Sequence, residues 1–287
     1  MRNLLKIFRW PNLIMLAVIQ VLVYMRLLHH QQSIVSDGDL ILLILITMLI
    51  AAGGYIINDY FDKDIDRINK PAKWIIGNSW SEKKALTVYS VIGLLGCILS
   101  IWLALRLGLS KYLFIYLIAM GGLWLYSSRL KCFPIAGNLW VALFCAAVIF
   151  IIALPDLILG NEEVIRKELW YYIGFAFLST WFREVVKDLE DIDGDQEKNC
   201  RTFVVQFGLK PGKIMATILG LLLVVLISLW EDQQSNNIVM FVLVVLQGVV
   251  MGCIGFMWWS KIANVFGKIS QVIKIVMLAG TLILLLI

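Results

Sequence analysis

The stretch Asn58-Asp59-Tyr60-Phe61-Asp62-Lys63-Asp64-Ile65-Asp66 decides how this chain is read. It follows directly on an apolar run, residues 40–57, so a dense block of carboxylates stands at the end of a hydrophobic segment. Carboxylates at such a boundary are costly unless they meet water, basic side chains or metal. A second block, Asp188-Leu189-Glu190-Asp191-Ile192-Asp193-Gly194-Asp195, also follows an apolar segment. The pairing predicts that the two blocks face each other and share a task.

The surrounding sequence is that of a membrane protein. Of 287 residues, 61% are hydrophobic and 16% charged, against roughly 45–50% and about 25% in soluble domains. Apolar runs recur along the whole length, approximately 12–28, 40–57, 85–105, 112–126, 135–154, 170–182, 215–230, 238–259 and 269–287. Runs of this kind predict an all-α polytopic protein with nine transmembrane helices, forming a single domain over 1–287. The sixth run is short and ends in charge, so its helix is expected to continue into the aqueous boundary. Residues 1–28 have basic residues ahead of an apolar run, as a signal peptide does. No small-residue cleavage site follows, so they are read as the first crossing.

The distribution of charge orients the chain. With the N-terminus in the cytoplasm, basic residues fall in alternate loops. They are Arg2, Lys6 and Arg9; Lys63, Arg67, Lys70, Lys73, Lys83 and Lys84; Arg129 and Lys131; Arg183, Lys187, Lys198, Arg201, Lys210 and Lys213; and Lys261, Lys268 and Lys274. These are 20 of the 25 Lys and Arg residues, the asymmetry expected of cytoplasmic loops. Both acidic blocks then lie on the cytoplasmic side of a plasma or inner membrane, and the C-terminus lies outside. The net charge of +5 is modest, and no nucleic-acid partner is expected. The cysteines Cys97, Cys132, Cys145, Cys200 and Cys253 show no zinc-like spacing and are read as small hydrophobes, with neither disulfide nor metal implied. His29 and His30 have no third ligand nearby.

Each block reads as a helix end. At about 100° per residue, Asn58, Asp59, Asp62 and Asp66 share one face and Asp64 points away. In the second block Asp188, Asp191 and Asp195 fall within roughly 60°, Glu184 extends that face one turn back, and Asp193 points away. Gly194 makes the direction of Asp195 the least fixed. Opposed carboxylate faces repel, and divalent cations resolve the repulsion. An oxygen-only donor set suits Mg2+, which binds carboxylates together with waters and substrate phosphate oxygens. A cation transporter is the rival reading, but its acids would lie near mid-membrane rather than at helix ends among basic residues. Arg67, Lys70 and Lys73, then Lys187, Lys198 and Arg201, with Arg129 and Lys131 between, are available to neutralise a diphosphate.

At these residues the chain resembles the UbiA-type intramembrane prenyltransferases, whose two motifs are N-D-x-x-D-x-x-x-D and D-x-x-D-x-x-x-D. Asn58, Asp59, Asp62 and Asp66 match the first, and Asp188, Asp191 and Asp195 the second. The segments 66–71, 183–188 and 201–203 resemble the flanks of those motifs. The resemblance implies helices bundled around a central apolar cavity capped by cytoplasmic Asp-rich loops. It also implies Mg2+ held by the motif residues, with diphosphate contacts from Arg67, Lys70, Lys187 and Arg201. A prenyl group would pass from a polyprenyl diphosphate to a lipophilic acceptor, with membrane lipid around it. The family's Y-x-x-x-K element is altered here to Tyr126-Ser127-Ser128-Arg129-Leu130-Lys131. Tyr126, Arg129 and Lys131 are the candidates for the acceptor or carbocation side, with Asn12 of Arg9-Trp10-Pro11-Asn12 beside them. The second motif looks most like the branch that includes digeranylgeranylglyceryl phosphate synthase. That branch implies a geranylgeranyl diphosphate donor and a geranylgeranylglyceryl phosphate-like hydroxyl as acceptor. Aromatic acceptors (4-hydroxybenzoate, dihydroxynaphthoate, a tetrapyrrole) are the alternative within the family.

Overall fold

The computed structural model describes residues 6–28, 32–64, 67, 74–197, 200–259 and 263–287. Its helices are α1 (Trp10–Leu27), α2 (Asp37–Phe61), α3 (Glu82–Leu107), α4 (Lys111–Ser128), α5 (Ala136–Ile158), α6 (Glu168–Glu190), α7 (Ile192–Glu197), α8 (Phe203–Phe207), α9 (Leu209–Glu231), α10 (Asn237–Trp259) and α11 (Ala263–Ile283). The described residues contain isolated bridges but no strand, so the all-α expectation holds. A long helix matches every expected apolar run to within a few residues at its ends, the last ending at Ile283 rather than at 287. By length and apolarity seven of them qualify to cross a membrane. α4 and α6 are not among the seven, so nine crossings remains a proposal. α6 runs on from its apolar part through the charged residues to Glu190, as the sequence suggests.

Large apolar side chains remain exposed along whole helix faces. Leu94, Ile98, Trp102 and Leu105 make such a stripe on α3, and Phe241, Phe256 and Trp259 stand out on α10. Continuous apolar surface of this extent is favourable in lipid and a liability in water. The chain is an integral membrane protein.

Two compact units make up the chain. The first comprises Met1–Tyr24, His30–Leu130 and Ile151–Val164. In it α2 packs against α3 and α4. The core of this unit holds Ile7, Leu13, Ala52, Ile56, Ile76, Trp80, Ala85 and Ile92. α2 begins with a capping box in which Ser36 and Asp39 satisfy each other's backbone donors, a strong start signal for an apolar helix. α3 and α4 approach closely at Gly96, where a Cβ would lie 2.6 Å from the Tyr116 hydroxyl. That hydroxyl donates to the Gly93 carbonyl at 2.6 Å. In the same unit Asp156, fully buried, accepts from Ser33 Oγ at 2.7 Å, from the Ile34 amide at 2.9 Å and from Asn161 Nδ2 at 2.9 Å.

The second unit comprises Met25–His29, Lys131–Phe150 and Ile165–Ile287. α6 is its centre and packs against α9 and α11, while α10 packs against α9 and α11. Phe182, Leu223, Ile227 and Trp230 are fully buried there. Tyr172 donates to Thr281 Oγ1 across the α6–α11 contact at 3.0 Å. Close to that hydrogen bond a Cβ at Gly280 would run into the Phe175 ring. The unit also corrects the reading of the cysteines. Cys132 and Cys200 form a disulfide with their Cα atoms 4.6 Å apart. They are 68 residues apart in sequence, and only the fold brings them together. Cys97, Cys145 and Cys253 are free thiols.

Candidate active site

The first acidic motif straddles the end of α2 rather than lying wholly on it. The helix ends at Phe61, and Asp62 is its C-cap at φ −92°, ψ 0°, in the sparsely populated bridge region where active-site residues recur. Its amide donates to the Asn58 carbonyl at 2.9 Å. The Asn58 side-chain amide also donates to Asp62 Oδ2 at 3.1 Å. Asn58 and Asp62 therefore share a face, as their spacing predicts. Asp59 is turned to Arg9, whose Nη2 donates to Asp59 Oδ1 at 2.8 Å. The Arg9 guanidinium lies over the Tyr55 ring at 4.7 Å. Arg9 has φ +48°, a left-handed conformation uncommon outside glycine. Asp64 is exposed. Asp66 and Lys70 lie outside the described residues.

The second motif is built the same way. α6 ends at Glu190, and Asp191 is its C-cap at φ −94°, ψ 9°. Its amide donates to the Lys187 carbonyl at 3.0 Å. The chain resumes as α7, in which the Asp195 amide donates to the Asp191 carbonyl at 2.9 Å. Asp195 thus keeps its helical offset from Asp191 despite Gly194. Asp191 and Asp193 are both exposed. Asp188 lies on α6 beyond its apolar part and is half-buried. Asn138 Nδ2 in the first turn of α5 donates to Asp188 Oδ2 at 2.7 Å. Burial pushes the Asp188 carboxyl up to about 7; the Asn138 hydrogen bond and Lys187 pull it down, and Asp195 and Glu184 push it further up. A cation at this carboxylate would favour the ionised form that burial opposes. Glu184, one turn back on the same face, pairs with Arg183 at 2.5 Å.

Arg67 is exposed, with its guanidinium 5.8 Å from the Trp74 ring centroid. Lys187 and Arg201 are exposed beside the second motif. Lys63 is drawn to Glu82 at 2.6 Å, and that hydrogen bond raises its ammonium pKa above the ordinary range. Tyr126 is half-buried in the last turn of α4, and Arg129 caps that helix and is exposed. Lys131 lies in the single turn Leu130–Cys132. Asn12 is half-buried in the first turn of α1.

Three contacts went unread in the sequence: Arg9 with Asp59, Asn138 with Asp188, and the disulfide that ends near the exit of the second motif. The run Cys132-Phe133-Pro134-Ile135-Ala136-Gly137-Asn138, with its Pro and Gly, is the one local signal of an ordered turn there.

Among the described residues no three of the acidic, His or Cys side chains gather into a ready-made metal cage. The donors present still fit Mg2+. They are oxygen-only, and Mg2+ commonly takes one or two carboxylates and completes its shell with waters and substrate phosphates. The half-buried carboxylates of Asp62 and Asp188 and the exposed one of Asp191 suit that mode.

The family model for the UbiA prenyltransferases matches residues 17–278. The digeranylgeranylglyceryl phosphate synthase of Korarchaeum cryptofilum is 32% identical over 250 residues, covering 86% of this chain and 85% of that protein. The synthase of the same name from Methanosphaera stadtmanae is 28% identical over 280 residues, covering 97% and 96%. A solved structure giving mechanistic insights into digeranylgeranylglyceryl phosphate synthase in membranes matches with a TM-score of 0.77 at 22% identity, over 99% of this chain and 97% of that one. The structure of a UbiA homolog from Archaeoglobus fulgidus bound to GPP and Mg2+ matches with a TM-score of 0.64 at 15% identity, over 97% and 98%. At such identities the solved structures speak for the fold. The family model runs through both acidic motifs and all but the ends of the helical frame, and the chain belongs to the UbiA prenyltransferase family.

Proposed function

We propose that this prenyltransferase moves a geranylgeranyl group from its diphosphate to the free hydroxyl of a geranylgeranylglyceryl phosphate-like lipid, in a Mg2+-dependent reaction. The observation that carries the reading is the matched pair of acidic helix ends, each closed by an aspartate in the same backbone conformation. Digeranylgeranylglyceryl phosphate synthases among the relatives support this acceptor over an aromatic one.

In this reading Asn58, Asp59, Asp62 and Asp66 of the first motif and Asp188, Asp191 and Asp195 of the second would hold Mg2+. When bound, Mg2+ supplies charge neutralisation to the departing diphosphate. Arg67, Lys70, Lys187 and Arg201 add cationic hydrogen bonds to the same oxygens. The allylic C–O bond breaks with its electron pair leaving on diphosphate. The acceptor oxygen then bonds the prenyl carbon and gives up its proton to the released diphosphate or to water. Tyr126, Arg129, Lys131 and Asn12 are assigned to the acceptor or carbocation side. The donor tail occupies an apolar cavity among the helices. The chain acts as one domain over 1–287, crosses the membrane nine times, and keeps its N-terminus and active site cytoplasmic.

The test is product mass spectrometry on purified protein in lipid. Geranylgeranyl diphosphate is offered with geranylgeranylglyceryl phosphate, 4-hydroxybenzoate or dihydroxynaphthoate. The expected product is the doubly prenylated glyceryl phosphate, formed with Mg2+ and lost with EDTA. Product from an aromatic acceptor alone would overturn the acceptor assignment and leave prenyl transfer standing.

A further inference from the structure

The segment between α4 and α5 is tied to the second acidic motif at two points. At one end Cys132 is bonded to Cys200, which lies five residues beyond Asp195 and whose amide donates to the Asp195 carbonyl at 2.9 Å. At the other end Asn138 donates to Asp188 at 2.7 Å. The two ties therefore bracket the motif from Asp188 to its exit.

The backbone between the ties is held in an unusual shape. Ile135 has φ +65°, a genuine outlier for a β-branched residue, which persists only where the surroundings over-determine it. Two hydrogen bonds fix the turn: the Ala136 amide donates to the Pro134 carbonyl at 2.7 Å, and the Leu139 amide to the Ile135 carbonyl at 2.9 Å. This turn delivers Asn138 in the first turn of α5, whose partial positive charge favours a carboxylate there.

We infer that Asn138 is a positioning residue for the second metal motif, fixing the Asp188 carboxylate through one oxygen while the Cys132–Cys200 bond anchors the segment that carries it. A carboxylate held at one oxygen has a set plane and presents its other oxygen in one direction. Partners of this kind commonly orient metal-binding carboxylates, and their loss costs about 10- to 100-fold in metal affinity. The inference rests on the reading of Asp188 as a Mg2+ ligand.

The test uses the full chain in detergent with a non-transferable geranylgeranyl S-thiolodiphosphate, and Mn2+ binding read by electron paramagnetic resonance. Asn138→Ala is expected to weaken Mn2+ binding about 10- to 100-fold with its thermal midpoint held. Asn138→Gln, which keeps the amide donor, is expected to recover most of the loss. Reduction of the wild-type disulfide is expected to weaken binding in the same direction, and this arm needs no substitution. Wild-type affinity in Asn138→Ala overturns the role of Asn138, as does a loss that follows a fall in thermal midpoint and is not recovered in Asn138→Gln. Unchanged binding after reduction overturns the anchoring role of Cys132–Cys200. Should the wild-type protein bind no Mn2+, the metal reading of Asp188 fails instead, and the inference fails with it.

Discussion

Asp62 and Asp191 end their helices in the same way: each is a C-cap near φ −93°, ψ 5°, with its amide closing on the carbonyl four residues back, Asn58 or Lys187. A helix end exposes carbonyls and carries partial negative charge, which is an unfavourable place for a carboxylate by itself. Two motifs sharing this arrangement argue that a cation, rather than helix stability, accounts for the aspartates.

From that follows a sharp contrast within each motif. Asp62→Ala and Asp191→Ala are expected to lower prenyl transfer by about 100-fold or more, the scale of losing a direct electrostatic contact at a reacting group. Asp64→Ala and Asp193→Ala, both at exposed carboxylates, are expected to stay within a few-fold of the parent. Initial rates with labelled donor decide it, on variants that elute as the parent does in size exclusion. Equal damage at Asp64 and Asp62 would sink the division of the motif into two faces.

Arg9 offers a separation of activity from stability. Its ion pair with Asp59 has the arginine side chain 43% exposed and the aspartate 16%, so it is worth at most about 1 kcal/mol to the fold. The same contact holds one of the expected ligand carboxylates. Arg9→Ala is therefore expected to move the thermal midpoint only slightly while raising the Mg2+ concentration needed for half-maximal activity. A variant with an unaltered Mg2+ requirement would assign the pair to packing alone.

How far the sequence carries can be seen at these positions. The apolar run 40–57 and the Ser36–Asp39 box announce α2, because hydrophobic length and capping are local properties. The pairing of Asn58 with Asp62 was legible for the same reason, being one helical turn apart. The exact helix ends at Phe61 and Glu190 were not, since the residues there lack a strong breaker. Arg9 with Asp59, Asn138 with Asp188 and Cys132 with Cys200 join residues 50, 50 and 68 apart. Periodicity holds no information about such pairs, and the two cysteines have no spacing that marks them as partners.

The disulfide predicts a stability effect of its own. Closing a loop with a sequence separation of 68 residues restricts the unfolded chain by about 4 kcal/mol in the chain-entropy account. Cys132→Ser, or reduction of the parent, is expected to lower the thermal midpoint in detergent. Cys97→Ser, at a thiol that is free, serves as the control and is expected to leave the midpoint near the parent's. A parent protein whose midpoint is insensitive to reductant would count against the Cys132–Cys200 bond.

Asp156 lies in the loop-end network with Ser33, Ile34 and Asn161, away from both acidic motifs in sequence, and it is completely buried. A buried carboxylate with three donors is stabilising only while the donors are present, and the donors depend equally on it. Asp156→Ala leaves them without an acceptor, at a cost of about 3 kcal/mol or more. Asp156→Asn keeps an acceptor oxygen and is expected to cost less. Neither substitution touches a residue assigned to the reaction, so protein that remains folded should keep its turnover and its Mg2+ requirement. Thermal unfolding and transfer rates on the same samples separate the two effects. Were Asp156→Asn to retain the parent's midpoint and yet lose turnover, the network would belong to the catalytic apparatus and not to the frame that supports it.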